Sequence, residues 1–454
     1  MRHFARFMIL LWGTTLFAGD RNDIALTIYN NDLALVREQR NLQVPSGVTD
    51  VLISDVPTQI DPTSVHFISK TAPSDVAILE QNYQYDLASS DRILKKYVDN
   101  KISVFTNQDG PFQGKLLSNT HDNLTLQMAD GSIKIIRMDA VIDLDFPKLP
   151  SGLLTKPTLV WKLDNTSKTT NHQTELSYLT NGMNWHAEYV AVSRDDDKKL
   201  EISSWVSIDN QSGGDYPDAH LKLVAGDVHT VQPPPMARPR YDMAVAEAKR
   251  VQPQFEEKSF FEYHMYTLQN TTTLRDKQIK QIMLFPSVET PVVKKYTYEG
   301  AANSNDVRIN LEFKNSKKTG TGIPLPKGKI RVYKEDTDNN GSLEFVGEDL
   351  IDHTPIDEMV RVFLGNAFDI QGERSQKETK RISDRTRQES WEVKLRNHKK
   401  SDVTVTVIEH LWGDWSMIQH SHPYHKKNAH TIEFEISVPT DGEVTVTYTA
   451  QVTW

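Results

Sequence analysis

Three imidazoles fall within six residues in the run His420-Ser421-His422-Pro423-Tyr424-His425, and His410 and His430 flank it. Imidazole nitrogens hold zinc or copper, and residues two apart in an extended segment project to the same side. His420 and His422 therefore suit bidentate capture, with His425 as a third ligand. Such a metal would activate water, and a metal-dependent hydrolase is the enzymatic reading of this cluster. The plainer reading is a solvated hairpin loop. Gly413-Asp414-Trp415 precedes the cluster, Lys426-Lys427-Asn428 follows it, and strand-like sequence bounds both sides.

Two acidic runs invite similar weighing. Asp336, Asp338 and Asn340 alternate and are followed by Gly341, which is how a calcium loop opens. The twelfth position of such a loop should be a bidentate glutamate and is Gly347, so a polar turn joining Val332-Tyr333 to Leu343–Val346 is the better expectation. Asp349, Asp352, Asp357 and Glu358 surround His353 and could do acid–base work, although a charged edge strand explains them equally well. Gly322 to Lys329 has the outline of a phosphate loop. It carries one residue too many, Ile330 where a hydroxyl is needed, and two prolines that lack N–H donors. There is no Gly-x-Ser-x-Gly elbow and no His-Glu-x-x-His helix. Trp161, Trp185, Trp205, Trp412 and Trp415 could form stacking platforms for a carbohydrate, the third functional reading.

The elements that must position these residues are strands. Val444, Val446, Tyr448, Ala450 and Val452 share one face of the last segment, while Thr445, Thr447, Thr449 and Thr453 face the other way. Val403-Thr-Val405-Thr-Val407 and Ile432-Glu-Phe434-Glu-Ile436 alternate likewise. Asp-Gly pairs at 109, 130 and 441 and Asn-Gly pairs at 181 and 340 punctuate them. The pattern predicts a multidomain all-β protein of β-sandwich modules. It divides into a leader at 1–18, an N-terminal β region at 19–90, a small SH3- or Sm-like barrel insert at 91–147 and central sandwich strands at 148–231. A proline-rich linker at 232–259 follows, with a short helix at Ala244 to Arg250. Residues 260–385 continue the central sandwich, and 386–454 form a C-terminal fibronectin- or immunoglobulin-like sandwich. The last strand also has the outline of a closing strand of an outer-membrane barrel, a reading that the linker and the small insert disfavour.

The first residues predict export. Arg2, His3 and Arg6 precede the apolar run Phe7 to Phe17, which is too short to span a bilayer, and Ala18 suits a cleavage site. The expected location is the periplasm, cell envelope or extracellular space, with no transmembrane segment after removal. The chain has no cysteine, which excludes thiol catalysis, thiolate metal sites and a lipid-modified cysteine. Its formal net charge is -9, and loss of Arg2 and Arg6 takes this from -9 to -11. That charge opposes phosphate backbones, so no nucleic-acid partner is expected.

Several segments in combination resemble a bacterial family known as domain of unknown function 4139. They are Leu26 to Val36, Tyr178 to Tyr189, Leu223 to Asp227, Glu262-Tyr263-His264 with Tyr266, Gly347-Glu-Asp349, Ile351 to Pro355, His398, Gly413-Asp-Trp415 and Ser421 to Tyr424. The resemblance implies an exported β-rich protein and carries no reaction and no catalytic residue with it. The leading expectation is a non-enzymatic envelope or extracellular protein that binds a protein or cell-surface ligand, with no cofactor.

Overall fold

The computed structural model describes residues 21–454 apart from 108, 151–152, 195–196, 227, 229–253, 303–304, 319 and 337–340. The expected leader, most of the proline-rich linker with its short helix, and Asp338 and Asn340 lie outside the described residues. Almost every element is a strand, as the alternation requires, and the strands form five sheets around three cores.

The largest core lies among three sheets, joined by Leu311, Phe313, Val360 and Val362 of a fourth. An eight-stranded sheet centres on Arg21–Tyr29, Leu33–Gln43 and Asn171–Asn181. A three-stranded sheet pairs Thr158–Asn165 with Gly47–Ser54 and Val76–Gln84. A five-stranded sheet runs in the order Gln278–Pro291, Lys199–Asn210, Met183–Arg194, Gly328–Asp336 and Ser342–Ile351. The chain passes from the first to the last of these at Gly182, between Asn181, which pairs with Leu33, and Met183, which pairs with Asn210. Asn181-Gly182 is thus a corner between sheets and not a hairpin turn. Gly182 has φ +80, and a Cβ there would sit 2.8 Å from the Gln211 backbone, so both conformation and space demand glycine. The linker expected to reach 259 ends earlier. From Gln254 to Ser259 every residue has an N–H to donate, and Phe255–Phe260 pairs with Tyr263–Leu268 in a tight hairpin.

The small insert interrupts paired strands. Gln84 and Thr158 lie opposite each other, and everything between them leaves and re-enters the body at one place. Tyr97 Oη donates to the Lys148 carbonyl at 2.6 Å, closing that neck. Within it, helix Ser90–Lys96 packs on a sheet in the order Val141–Asp145, Lys101–Thr106, Phe112–Asn119, Asn123–Gln127, Ile133–Arg137. Leu94, Ile102, Leu116, Leu124 and Ile136 form its own core. The strand order is that of the expected barrel, but the two end strands do not pair, so the sheet is open. The three-residue 3₁₀ turn Met138–Ala140 carries the chain from one end strand to the other without bringing their backbones into register.

The third core belongs to a nine-stranded sheet folded into a two-layer sandwich. Met359–Arg381 makes the fold possible. Its first half pairs with Asp306–Lys314 and its second half with Thr386–Asn397, so one strand belongs to both layers. Phe434 and Tyr448, far apart in strand order, meet across the middle with centroids 5.8 Å apart. Val293–Tyr298 and Asp306–Lys314 also contribute to this sheet, and position 385/386 falls in the hairpin between two strands that pair along their length.

Candidate functional site

The histidine-rich segment closes one side of this sandwich. Asp414–His420 is the edge of one layer and His425–Lys426 the edge of the other, with 421–424 bridging them. Tyr424 inserts inward on Phe434 (5.9 Å), and Pro423 precedes it with a fixed φ. Trp415 donates its indole N–H to the Ala429 carbonyl at 2.8 Å, and Lys426 Nζ lies 4.7 Å above its ring. The segment is therefore a clasp between two sheet edges.

The clasp sends the imidazoles to different partners. His420 Nδ1 faces the His422 carbonyl at 3.0 Å, and its ring meets Tyr424 edge-on at 5.2 Å. His422 Nδ1 bonds to Ser421 Oγ at 2.8 Å, while His425 Nε2 lies 3.1 Å from Glu433 Oε2. His410 bridges Glu299 (2.7 Å) and Thr431 (3.3 Å). The expected His420, His422 and His425 metal site is not assembled, since each imidazole is engaged by a different neighbour. Among the described residues no three His, Asp or Glu side chains are placed to hold a metal ion.

The other candidates also come apart. The segment with Asp336 is a hairpin end, where Gly341 N–H donates to the Asp336 carbonyl at 3.0 Å and Gly341 takes φ +75. Asp349 caps backbone N–H groups of Leu350 and Phe363, and His353 Nδ1 accepts from Lys327 N–H at 3.1 Å. The Asp349 carboxylate thus ties two neighbouring strands together. Trp161 and Trp185 are core residues, and Trp205 and Trp415 are half-buried. Trp412 is different, with 70 % of its surface exposed. Gly413 (φ +74) turns the chain beside it, and a Cβ on Gly413 would meet the Thr453 carbonyl at 2.6 Å. His430 stacks on the indole (5.5 Å, 24°) and is itself tied to the Leu411 carbonyl at 3.2 Å. The result is a rigid aromatic surface with one side backed and the other open to solvent.

Beneath the clasp lies a group that motif searching missed. Glu409 is fully buried, accepts two bonds from Arg374 Nε at 3.0 Å and one from Tyr448 Oη at 2.6 Å. Arg374 also lies 3.4 Å over the Trp391 ring. Burial opposes the Arg374 charge, but the bond to Glu409 and its field hold the proton above the ordinary arginine value. Burial, reinforced by Glu409, pushes the Tyr448 phenol far up, so it stays a donor. Tyr298, nearby, is pushed up to about 12 by burial and the same carboxylate. A parallel group lies in the largest core, where buried Glu38 meets Arg40 at 2.6 Å and Arg21 at 2.7 Å. The sequence signal for both is a charge on an apolar face: Val405, Val407, Glu409 in one strand and Val36, Glu38, Arg40, Leu42 in the other. Paired in this way, the groups cross-link strands.

Four of the segments that carry the family resemblance, those with Asn30, Trp185, Val224 and Tyr266, meet at Trp185. Its indole N–H donates to the Val224 carbonyl at 3.2 Å, its own carbonyl accepts from Asn30 Nδ2 at 2.8 Å, and Tyr266 packs edge-on at 6.2 Å. Tyr266 and Tyr189 donate to the carbonyls of Pro324 and Pro326 at 2.8 and 2.7 Å, which is the use made of the proline-rich run that outlined a phosphate loop. These motifs define packing. No curated protein matches the chain. The family model for the domain of unknown function DUF4139 matches residues 174–454, and the chain belongs to that family.

Proposed function

We propose that this chain is an exported protein of the cell envelope or extracellular space that binds a protein at the cell surface and catalyses no reaction. The observation that carries the reading is Trp412, an indole held rigidly by Gly413 and backed by His430 while its outer side stays in water. Folding gains nothing from that exposure, and a fixed aromatic of this kind is the usual anchor of a contact surface. The basic and apolar start at Arg2 to Ala18 supports export. The internal pairing of Glu409, Arg374, Glu38 and Arg40 supports a structural use of the buried charges. Among the described residues no helix is long and apolar enough to cross a membrane.

The test is site-specific photo-crosslinking in the native envelope. A probe at position 412 should yield one dominant adduct, and a probe at exposed Thr447 should not. Equal labelling from both positions would sink the binding role of Trp412. Terminal sequencing of the envelope-associated protein should find a chain that begins near Gly19. An intact Met1 in the cytoplasmic fraction would overturn the export reading.

Carbohydrate binding is a second reading with its own support. Trp454 is exposed too, and Arg387 lies 4.9 Å over its ring, so two indoles each keep one side available for stacking on a sugar. Saturable quenching of tryptophan fluorescence by a neutral glycan, lost in Trp412→Ala, would favour it over a protein partner.

A further inference from the structure

One face of the C-terminal sandwich runs on past its apolar core as a shelf of arginines and tryptophans. Residues opposite each other in a sheet share a face, and alternate residues of one strand do so too. Tyr448, Ala450 and Val452 line that face and are buried, whereas Trp454, next in the same series, is exposed. Arg381, Arg387, Val452 and Trp415 lie opposite one another across four neighbouring strands, so two guanidinium groups extend the face at its end. One step further out, the Arg385 carbonyl accepts the Trp454 N–H at 3.1 Å, and Gly413 packs on the Thr453 carbonyl. Trp412 precedes Gly413, so both exposed indoles stand at this end of the sheet. Asp414, Thr453 and Thr386 form the row between and belong to the opposite face.

Positive charge gathers here against the trend of the chain. The net charge of the whole is -9, yet the hairpin from Lys377 to Glu389 carries five cations and three carboxylates. Arg387 turns its Nε to Glu389, and Arg381 turns one terminal nitrogen to Asp384. A guanidinium has five N–H donors, so one carboxylate does not exhaust either group. Arg385 has no carboxylate partner among the described residues. Charges at a sheet edge commonly serve to keep other sheets away. That role needs no aromatic beside them, and here Arg387 lies over one of two indoles that remain in water.

We propose that this shelf takes an acidic segment of the protein partner, with its carboxylates on Arg381, Arg385 and Arg387 and its apolar side chains on Trp412 and Trp454. The proposal rests on the reading of Trp412 as the anchor of a protein contact, and it adds the chemistry of what is bound. Charge complementarity selects the occupant. Planar guanidinium forks match carboxylates in pairs, and a neutral surface would gain nothing from three of them in one place. Tryptophan and arginine together are also the side chains that dominate contacts between proteins.

The probe is fluorescein-labelled poly-L-glutamate, titrated with the full mature chain and read by anisotropy at about 0.05 M and about 0.5 M salt. Wild type should bind at low salt and at least about tenfold more weakly at high salt. R381E/R385E, with an unchanged far-ultraviolet spectrum and Tm, should also bind at least about tenfold more weakly. Lys400→Glu, an exposed cation beyond the opposite end of Thr386–Asn397, should bind like wild type. Failure of wild type to bind, or equal binding by wild type and R381E/R385E, would overturn the proposal. Polygalacturonate that binds about tenfold more tightly than polyglutamate would overturn it in favour of an acidic glycan. Photo-crosslinking from position 412 in the native envelope separates this from the reading beneath it. An adduct that persists at high salt and in R381E/R385E keeps Trp412 as a protein anchor and sinks the acidic partner, whereas no adduct in wild type sinks both.

Discussion

Tyr448 donates its phenolic proton to Glu409 across 2.6 Å of fully buried space, and Arg374 neutralises the same carboxylate from the opposite layer. Three strands that are distant in sequence are thereby fixed to one another at the centre of the C-terminal sandwich. Removing one member leaves a partner charged and unpaired where water cannot reach it. Glu409→Ala is expected to destabilise the chain by about 3–5 kcal/mol, whereas Arg374→Met with Glu409→Leu should recover most of that loss. Urea unfolding followed at the tryptophans reads both, and a single variant with wild-type stability would refute the assignment.

Asp197 offers a pH test. Burial opposes its charge, but Lys294 and Lys334, each at 2.5 Å, hold its pKa down to about 2. A depressed folded-state pKa stabilises above the unfolded value near 3.8, and that contribution disappears as pH falls from there through about 2. Asp197→Asn keeps a residue that tolerates its φ of +61 and removes only the charge. The variant should lose up to about 2 kcal/mol at neutral pH and show a flatter acid limb below pH 4. Parallel acid-unfolding curves for the two proteins would contradict this.

Gly182 is the corner on which two sheets turn. Gly182→Ala should cost about 2 kcal/mol or more, from backbone strain and from contact with Gln211. Gly131→Ala, at φ +86 with open space around the Cβ, isolates the strain and should cost about 1 kcal/mol. Thermal melts that rank the two in the reverse order would show that the corner is not constrained.

The clasp geometry bears on metal binding. His420, His422 and His425 face Tyr424, Ser421 and Glu433 respectively, so zinc or copper should bind them no more tightly than about millimolar. Calorimetric titration of wild type and His422→Ala should give matching traces. A micromolar site that disappears in the variant would mean that the loop rearranges around the ion.

The insert should be separable. Because Gln84 and Thr158 pair directly, residues 85–157 can be replaced by Asn-Gly, a dipeptide suited to a tight hairpin. The shortened chain should unfold within about 1 kcal/mol of wild type, since the insert has its own core. A shortened chain that fails to fold would show that the neck at Tyr97 and Lys148 supports the body.

Alternation alone determined that this protein is built of sheets, because a side-chain period of two leaves no other way to bury Val444, Val446 and Tyr448 together. Short strands joined by tight turns between 91 and 147 were legible for the same reason. The sequence also marked its buried charges, as Glu38 and Glu409 interrupt apolar faces. It did not say where strands change sheets. Gly182 reads locally as a hairpin glycine, and only the pairing of its two neighbours with Leu33 and Asn210 makes it a corner. Nor could spacing decide the histidine cluster. Ligand convergence depends on side-chain directions set by two sheet edges and a proline, and those edges are brought together by strands far along the chain. Short-range periodicity fixes which face each residue takes, while long-range pairing decides what that face meets.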